Sequence, residues 1–471
     1  MSFFRKLLRF KSKARVVLVT PPSFFPTTYM RLPIPPYSLV PVISMTPLIP
    51  LGPAYIAASL KEAGFDVKIV DLTFIDKRAL NINEVKKAIL RQDPDVVGLS
   101  ALTWTISTAY EIANALKEEE PDLPIVAGGP HVSALPERTL KECSAIDAVI
   151  IGEGEYVFRD FLNILLTKGI CKEMAELKGL MFRHRDRILG NPYPVYIENL
   201  DSLPFPARTL FNLEKYMEFS RKFQAKRVPV ASMVTSRGCP HRCIFCARIS
   251  SGYRYRARSP ENVIRELKQL KNYGFNEVQI VDDNFTEDRK RVFEICRLIK
   301  EQGVDMSFDL PNGIRVDHVD EELLSKMYDA GFYSIHLGVE SGDDYVLRTI
   351  RKGITVKQIK SAVNIAKRIG FDIILYIIIG LPGSSVEAER RTLDLINDLD
   401  VPFTFSVCTP YPGSPLWEMV KDKLKGVSWD RFDETNYGNF IYVPDGMTKE
   451  QLQECIDRAN EFKLQARNVG C

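Results

Sequence analysis

The chain has 471 residues, 45% of them hydrophobic and 26% charged, a balance that excludes disorder and is long enough for two or three domains with separate cores. A formal net charge of +3 is too small at this length to argue for nucleic acid as a partner. The nine cysteines are an odd number, six of them scattered singly at 143, 171, 296, 408, 455 and 471, so they form no disulfide framework and fit a reducing, cytoplasmic setting.

Residues 1–14 form a basic amphipathic leader, with Phe3, Phe4, Leu7, Leu8 and Phe10 among Arg5, Lys6, Arg9, Lys11 and Lys13; the first acidic residue is Glu62. At helical spacing this suits peripheral contact with the inner face of an anionic membrane, and a solvated leader is the alternative. No apolar run is long enough to span a bilayer.

From 15 to 168, short apolar runs alternate with amphipathic stretches in five βα units, which predicts a flavodoxin-like doubly wound parallel sheet. Ligands of such sheets bind beyond the carboxyl ends of the strands. Candidate contacts there are Thr20 and Pro21, Ser100 and Thr103, Gly128, Gly129, Pro130 and His131, and Gly152, Glu153 and Gly154, with Gly52 at the first helix. Tight strand-to-helix turns use the same glycines. Residues 21–53 carry ten prolines and several aromatic residues, which reads as a lid or substrate wall, or as a loop packed on a neighbouring domain.

Residues 169–228, broken by prolines, read as a connector. A second βα series occupies 229–420, with strands at 231–236, 277–283, 306–310, 333–339, 373–379 and 403–408 and helix caps at Ser259, Thr286, Asp320 and Thr355. Six units predict a partial (β/α)6 barrel, working at the carboxyl ends of its strands. Residues 421–471 read as a helical region closing on the barrel, with Cys455 as a packed small side chain.

Directly after the first barrel strand stands SRGCPHRCIFCAR, which places Cys239, Cys243 and Cys246 on one turn with no fourth cysteine close by in sequence. A structural zinc site takes four ligands, often in close pairs. Three thiolates holding a [4Fe–4S] cluster leave one iron with open coordination, able to chelate a small ligand.

This C-x3-C-x2-C spacing, with Phe245 before the last cysteine and a barrel around it, resembles the radical S-adenosylmethionine (SAM) superfamily. The resemblance implies that the open iron binds the amino and carboxylate groups of SAM and that reductive cleavage yields a 5′-deoxyadenosyl radical. It implies SAM contacts at VDDNF, where Asp283 or Asn284 meets the ammonium, at GVESG with Glu340 and Ser341, and at IIIGLPG, where Gly380 lets the backbone approach adenine. Arg237 and Arg242 are placed to favour the thiolates.

LGPAYIAASLKEAG, AGGPH and GEGE ahead of that barrel resemble the front domain of the cobalamin-binding (B12-binding) radical SAM enzymes. The family resemblance implies cobalamin at the candidate residues of the front domain. TPPS at the first strand end lacks the D-x-H-x-x-G pattern that gives cobalt a histidine, so cobalamin is expected without a histidine lower ligand. The implied reaction is C-methylation of an unactivated carbon in a small, lipid- or isoprenoid-like substrate, with electrons from a donor such as ferredoxin or flavodoxin. A radical SAM cyclase or other enzyme without methyl transfer, and a non-catalytic cobalamin and iron–sulfur sensor, are the alternatives.

Overall fold

The computed structural model describes residues 13–22, 48–221, 225–433 and 438–468, without the side chains of Arg78 and 463–468. The expectations for residues 1–12 of the leader, for 23–47 of the proline-rich insertion and for Cys471 lie outside the described residues. The chain divides into two compact units, one running to Ile197 and including Leu203–Pro229, the other comprising Glu198–Ser202 and the chain from Val230.

In the first unit, apolar RVVLV forms β1 (Arg15–Val19). It is followed by α1 (Leu51–Glu62), β2 (Asp66–Val70), α2 (Ile82–Leu90), β3 (Val96–Ser100), α3 (Ile106–Glu119), β4 (Ile125–Gly128), α4 (Pro130–Ala134), α5 (Pro136–Glu142), β5 (Ala148–Ile150) and α6 (Gly154–Lys168). The strand order β2-β1-β3-β4-β5 is that of a flavodoxin-like sheet, and all four pairings are parallel. Strand order therefore reverses at β1, and the crevice between the carboxyl ends of β1 and β3 is the topological switch point. Val16, Leu18, Val126 and Ile150 of the strands pack with Ala57, Leu60, Phe158 and Phe161 of α1 and α6 in one core.

The segment expected to be an irregular connector adds structure to this sheet. β6 (Leu180–His184) and β7 (Arg187–Asn191) form an antiparallel hairpin on the β5 edge, and α7 (Leu213–Ser220) follows. The hairpin turns at Arg185, whose φ is +53°. A two-residue turn commonly announces itself with Asn-Gly or Asp-Gly, and Arg185-Asp186 carries no such signature.

The second unit starts with β8 (Val230–Met233), the short antiparallel pair β9 (Ser236–Arg237) and β10 (Arg256–Ala257), and α8 (Pro260–Asn272). Then come β11 (Glu277–Ile280), α9 (Arg289–Glu301), β12 (Ser307–Ile314), α10 (Glu321–Asp329), β13 (Phe332–Glu340), α11 (Asp344–Thr349), α12 (Val356–Ile369), β14 (Asp372–Ile379), α13 (Val386–Leu399), β15 (Phe403–Val407), α14 (Pro415–Val420) and α15 (Lys449–Asn468). The six main strands are all parallel, in the order β15-β14-β13-β12-β11-β8, the partial (β/α)6 barrel expected.

Side-chain oxygens of Ser259, Asp320 and Thr355 accept backbone N–H groups at the starts of α8, α10 and α12, satisfying donors that a helix leaves open. At α9 the cap is Asp288, which accepts from the Arg291 N–H at 3.1 Å. Thr286, expected there, lies in a 3₁₀ turn, Phe285–Glu287.

Burial alternates along β14 and β15, although buried parallel strands commonly read as continuously apolar. Ile377, Ile379, Phe403 and Phe405 border Glu389 and Thr392 of α13 and Cys455 and Ala459 of α15, which marks the helix side. Ile374, Tyr376, Ile378, Thr404 and Ser406 therefore face the concave side of the barrel.

Candidate functional site

Gly238 opens the cysteine loop at a φ of +82°, with the Arg254 carbonyl only 2.2 Å from where a Cβ would stand, so a larger residue would displace the loop. The Gly238 N–H donates to Asp283 Oδ2 at 2.7 Å. Further on, the Ile244 N–H donates to the Ile350 carbonyl and the Ile244 carbonyl accepts from the Leu416 N–H, at 3.0 and 2.8 Å. These bonds fasten the middle of the loop between the end of α11 and the start of α14. Beneath it, buried Asp282 takes three hydrogen bonds, from the Thr235 N–H and the hydroxyls of Thr235 and Ser236, at 2.5–2.6 Å.

Cys239 and Cys243 are buried and Cys246 is half-buried. Burial pushes the Cys246 thiol up to about 11, the Arg248 charge opposes this, and Cys243, Asp283 and Cys239 reinforce it. Cys239 is also raised by burial and opposed by Arg248. Negative charge on Cys243 and Cys239 thus disfavours ionisation of Cys246, and a cation or cluster binding all three would relieve that repulsion. Arg248 supplies the nearby positive charge, and its Nε is buried without a hydrogen-bond partner among the described residues. A donor left open, on an arginine that feels the charges of all three cysteines, fits an anionic iron–sulfur group in the loop. Of the arginines expected to favour the thiolates, Arg242 lies with its guanidinium 4.1 Å from the centre of the Tyr253 ring, and Arg237 stands in β9, whose backbone pairs with Arg256 of β10. Sequence spacing gave no means of choosing Arg248 among the arginines.

The residues expected around SAM divide. Phe245 is half-buried in the cysteine loop, and Asp283 is exposed and electrostatically coupled to Cys239 and Cys246. Asn284 is buried and turns its amide to Glu287, at 2.7 Å. Glu340 ends β13 at a φ of +64° and forms a buried 2.6 Å ion pair with Lys352, a partner with no mark in the sequence. Ser341 Oγ accepts from the Asp343 N–H and lies 3.4 Å from Thr392 Oγ1. Gly380 departs from the expectation. Its N–H donates to buried Glu389 at 2.9 Å, and Leu452 of α15 stands 2.9 Å from where its Cβ would be. That glycine admits the last helix and has no backbone donor left for adenine.

On the concave side, Tyr376 donates to the Pro311 carbonyl and accepts from His336 Nδ1, the latter at 2.7 Å. His336 Nε2 lies 3.3 Å from Asp309, which also accepts from Gln279. Polar residues on otherwise apolar parallel strands were a legible signal for this network.

In the first unit, Thr20, Pro21 and Ser100 line a cavity at the β1/β3 switch point together with Val19, Leu99, Thr105 and Thr108. Thr20 itself is spent on structure: its hydroxyl donates to Asp71 and accepts from the Leu72 N–H, both at 2.9 Å. Thr103 is buried in a 3₁₀ turn. Among the described residues, nothing stands within 4 Å of where a Gly52 Cβ would be, Gly128 is nearly as clear, and Pro130 is exposed. At these two glycines the backbone is free of side-chain bulk and can meet a ligand closely. Gly129 is instead packed on the Ala101 backbone.

Four other candidates are engaged with the protein itself. His131 is 1% exposed, and burial lowers its pKa to about 4. Gly152 is approached by the Val195 backbone to within 2.7 Å of a would-be Cβ. The Glu153 carboxylate accepts from the Ile197 N–H at 2.5 Å. Gly154 packs on Ile56. The segment following β7 has taken the place beside the GEGE loop that the sequence reading reserved for a ligand.

The Radical SAM superfamily family matches residues 233–396, and the B12 binding domain family matches residues 44–162. An uncharacterized methyltransferase of Pyrococcus horikoshii is 35% identical over 415 residues, covering 87% of this chain and 86% of the relative. The chain belongs to the cobalamin-binding radical SAM enzymes. An anaerobic magnesium-protoporphyrin IX monomethyl ester cyclase of Rubrivivax gelatinosus is 28% identical, covering 86% of this chain and 72% of the relative. A hopanoid C-3 methylase of Methylococcus capsulatus is 27% identical, with 82% and 71% covered. The radical SAM methyltransferase TsrM of Kitasatospora setae, solved with cobalamin and a [4Fe–4S] cluster, has the same fold at a TM-score of 0.71 and 17% identity, covering 96% of this chain and 89% of that one. The protein is thus a radical SAM enzyme of the cobalamin-dependent methyltransferase type, with a [4Fe–4S] cluster, SAM and cobalamin as its cofactors. Among the described residues, no helix is long and apolar enough to cross a membrane.

Proposed function

We propose that this enzyme methylates an unactivated carbon of a small substrate with a substantial apolar part, and that the cysteine loop, Asp283 and the concave face of the barrel carry the reaction. When bound, the cluster and SAM supply a carbon-centred radical and methylcobalamin supplies the methyl group. Cys239, Cys243 and Cys246 hold the cluster, and Arg248 offsets its charge. Asp283 receives the SAM ammonium while its Oδ2 keeps Gly238 in place. Glu340, charge-paired with Lys352, orients polar groups of SAM. Ile374, Ile378 and the ring of Tyr376, whose hydroxyl is held by Pro311 and His336, offer the substrate an apolar wall and exclude water from the reacting carbon. The observation that carries this reading is the convergence of the three buried or half-buried thiols on one unsatisfied arginine donor at the carboxyl end of the barrel.

Cobalamin would occupy the switch-point edge of the first unit without a histidine on cobalt, since His131 is buried and His184 lies on β6. An isoprenoid lipid is the favoured substrate class, supported by the apolar positions of β14 and by the hopanoid methylase relative. A low-potential ferredoxin or flavodoxin would serve as electron donor. Ring closure without methyl transfer is the second reading, favoured by the cyclase relative. Incubation with SAM carrying a trideuterated methyl group separates the two: the methylation reading requires the label in the product, and a product formed with 5′-deoxyadenosine but without label supports the cyclase.

A further inference from the structure

His241, Glu287 and His318 come from three separate loops of the second unit: the cysteine loop, the 3₁₀ turn after β11 and the 3₁₀ turn after β12. Their ligand atoms all lie within 4.8 Å of one another. His241 Nε2 is 3.3 Å and His318 Nδ1 is 3.4 Å from the same oxygen, Glu287 Oε2. The two imidazoles meet edge-on, with ring centres 5.0 Å apart. These separations are long for charged hydrogen bonds, and among the described residues His241 Nε2 makes none. They match the spacing of neighbouring ligands around a small cation: nitrogen and oxygen at 2.0–2.1 Å in tetrahedral geometry stand about 3.3 Å apart.

We propose that His241, Glu287 and His318 form a second metal site, distinct from the cluster, that binds one divalent transition-metal ion such as zinc and leaves a coordination position for an oxygen ligand. Two imidazoles and one carboxylate are a ligand set used by open, reactive metal sites. The Asn284 amide donates to Glu287 Oε2 at 2.7 Å and orients the carboxylate as an outer-shell partner does. Arg315, the nearby cation, is held in a two-point contact with Asp317 at 2.9 Å for each bond, so its charge is locally compensated. All three ligands are partly exposed, which leaves an entry path. The ion would clasp the cysteine loop to the loops after β11 and β12, and it goes beyond the reading of the cluster and cobalamin.

The test is a zinc titration of the anaerobically reconstituted holoenzyme against a competing chelating dye, with zinc-edge X-ray absorption on the loaded protein. The expected result is one equivalent bound through nitrogen and oxygen, with affinity lower by roughly tenfold or more in Glu287→Gln and His318→Ala. Cluster absorbance in each variant reports that the barrel has folded. A Cys239→Ala/Cys243→Ala/Cys246→Ala protein should lose iron and keep the zinc equivalent. Sulfur in the zinc coordination shell, unchanged affinity in His318→Ala, or no binding at micromolar zinc would each overturn the proposal. None of these outcomes alters 5′-deoxyadenosine formation as a test of the cluster, so the two readings fail separately.

Discussion

Arg248 is the residue whose role is most open to a direct check. It opposes the upward shift of Cys239 and Cys246 and keeps a buried donor beside them. Arg248→Leu should leave the three thiols in place yet make the reduced cluster harder to form. Its midpoint potential should fall by on the order of tens of millivolts, because net charge and hydrogen bonds to sulfur set that value; spectroelectrochemistry reads the shift. His131 gives a prediction of a different kind. Burial lowers its pKa from 6.5 to about 4, so the unfolded chain binds a proton that the folded chain refuses as pH falls through this window. Stability should therefore drop between pH 6.5 and pH 4, by up to about 3 kcal/mol. His131→Leu should flatten that part of the urea-unfolding profile, and an unchanged slope would show that other groups set it.

Among the elements, α15 and the turn after β14 are fitted to each other through Gly380 and Leu452. Gly380 has a φ of +79° and Leu452 stands 2.9 Å from its missing Cβ; Leu452 is fully buried. Gly380→Ala should cost about 1–3 kcal/mol and Leu452→Ala about 2–5 kcal/mol. The double variant should cost less than their sum, since shortening the leucine makes room for the added methyl; strict additivity in chemical denaturation would mean that the two do not touch in solution. The same turn shows where sequence reading stops. Alternating apolar and amphipathic stretches revealed the strands and helices of both units, because period and length are local properties. Which glycine faces a ligand and which faces another part of the chain is not local. Gly380 and Gly152 looked alike as strand-end glycines, and one is filled by α15 and the other by Val195. The β6–β7 hairpin escaped because its turn, Arg185-Asp186, has no glycine or asparagine. Lys352 and Arg248 escaped because a lone basic residue among 63 carries no spacing signal until the fold brings it to an acid or a thiol.

At the scale of the whole molecule, each unit has a distinct chemical task, and the reaction needs both. The first presents an open sheet edge at its switch point, and the second gathers three thiols, an arginine and a carboxylate at the mouth of a half-open barrel. Cobalt without a histidine ligand makes a spectroscopic prediction: the reduced corrin should give a paramagnetic resonance signal free of nitrogen splitting from a protein imidazole. Observed splitting that disappears in His131→Ala would refute it. The central claim is that this chain uses an incompletely ligated cluster to cleave SAM in the service of cobalamin-dependent methylation. The measurement that bears on it most directly is 5′-deoxyadenosine formed from SAM by the anaerobically reconstituted, reduced protein, with and without cobalamin. The account predicts deoxyadenosine from the wild-type protein, its loss in Cys239→Ala, Cys243→Ala or Cys246→Ala, and methylated product only when cobalamin is present. Wild-type protein that carries zinc on those three thiols, or cysteine variants that form deoxyadenosine at the wild-type rate, would contradict it.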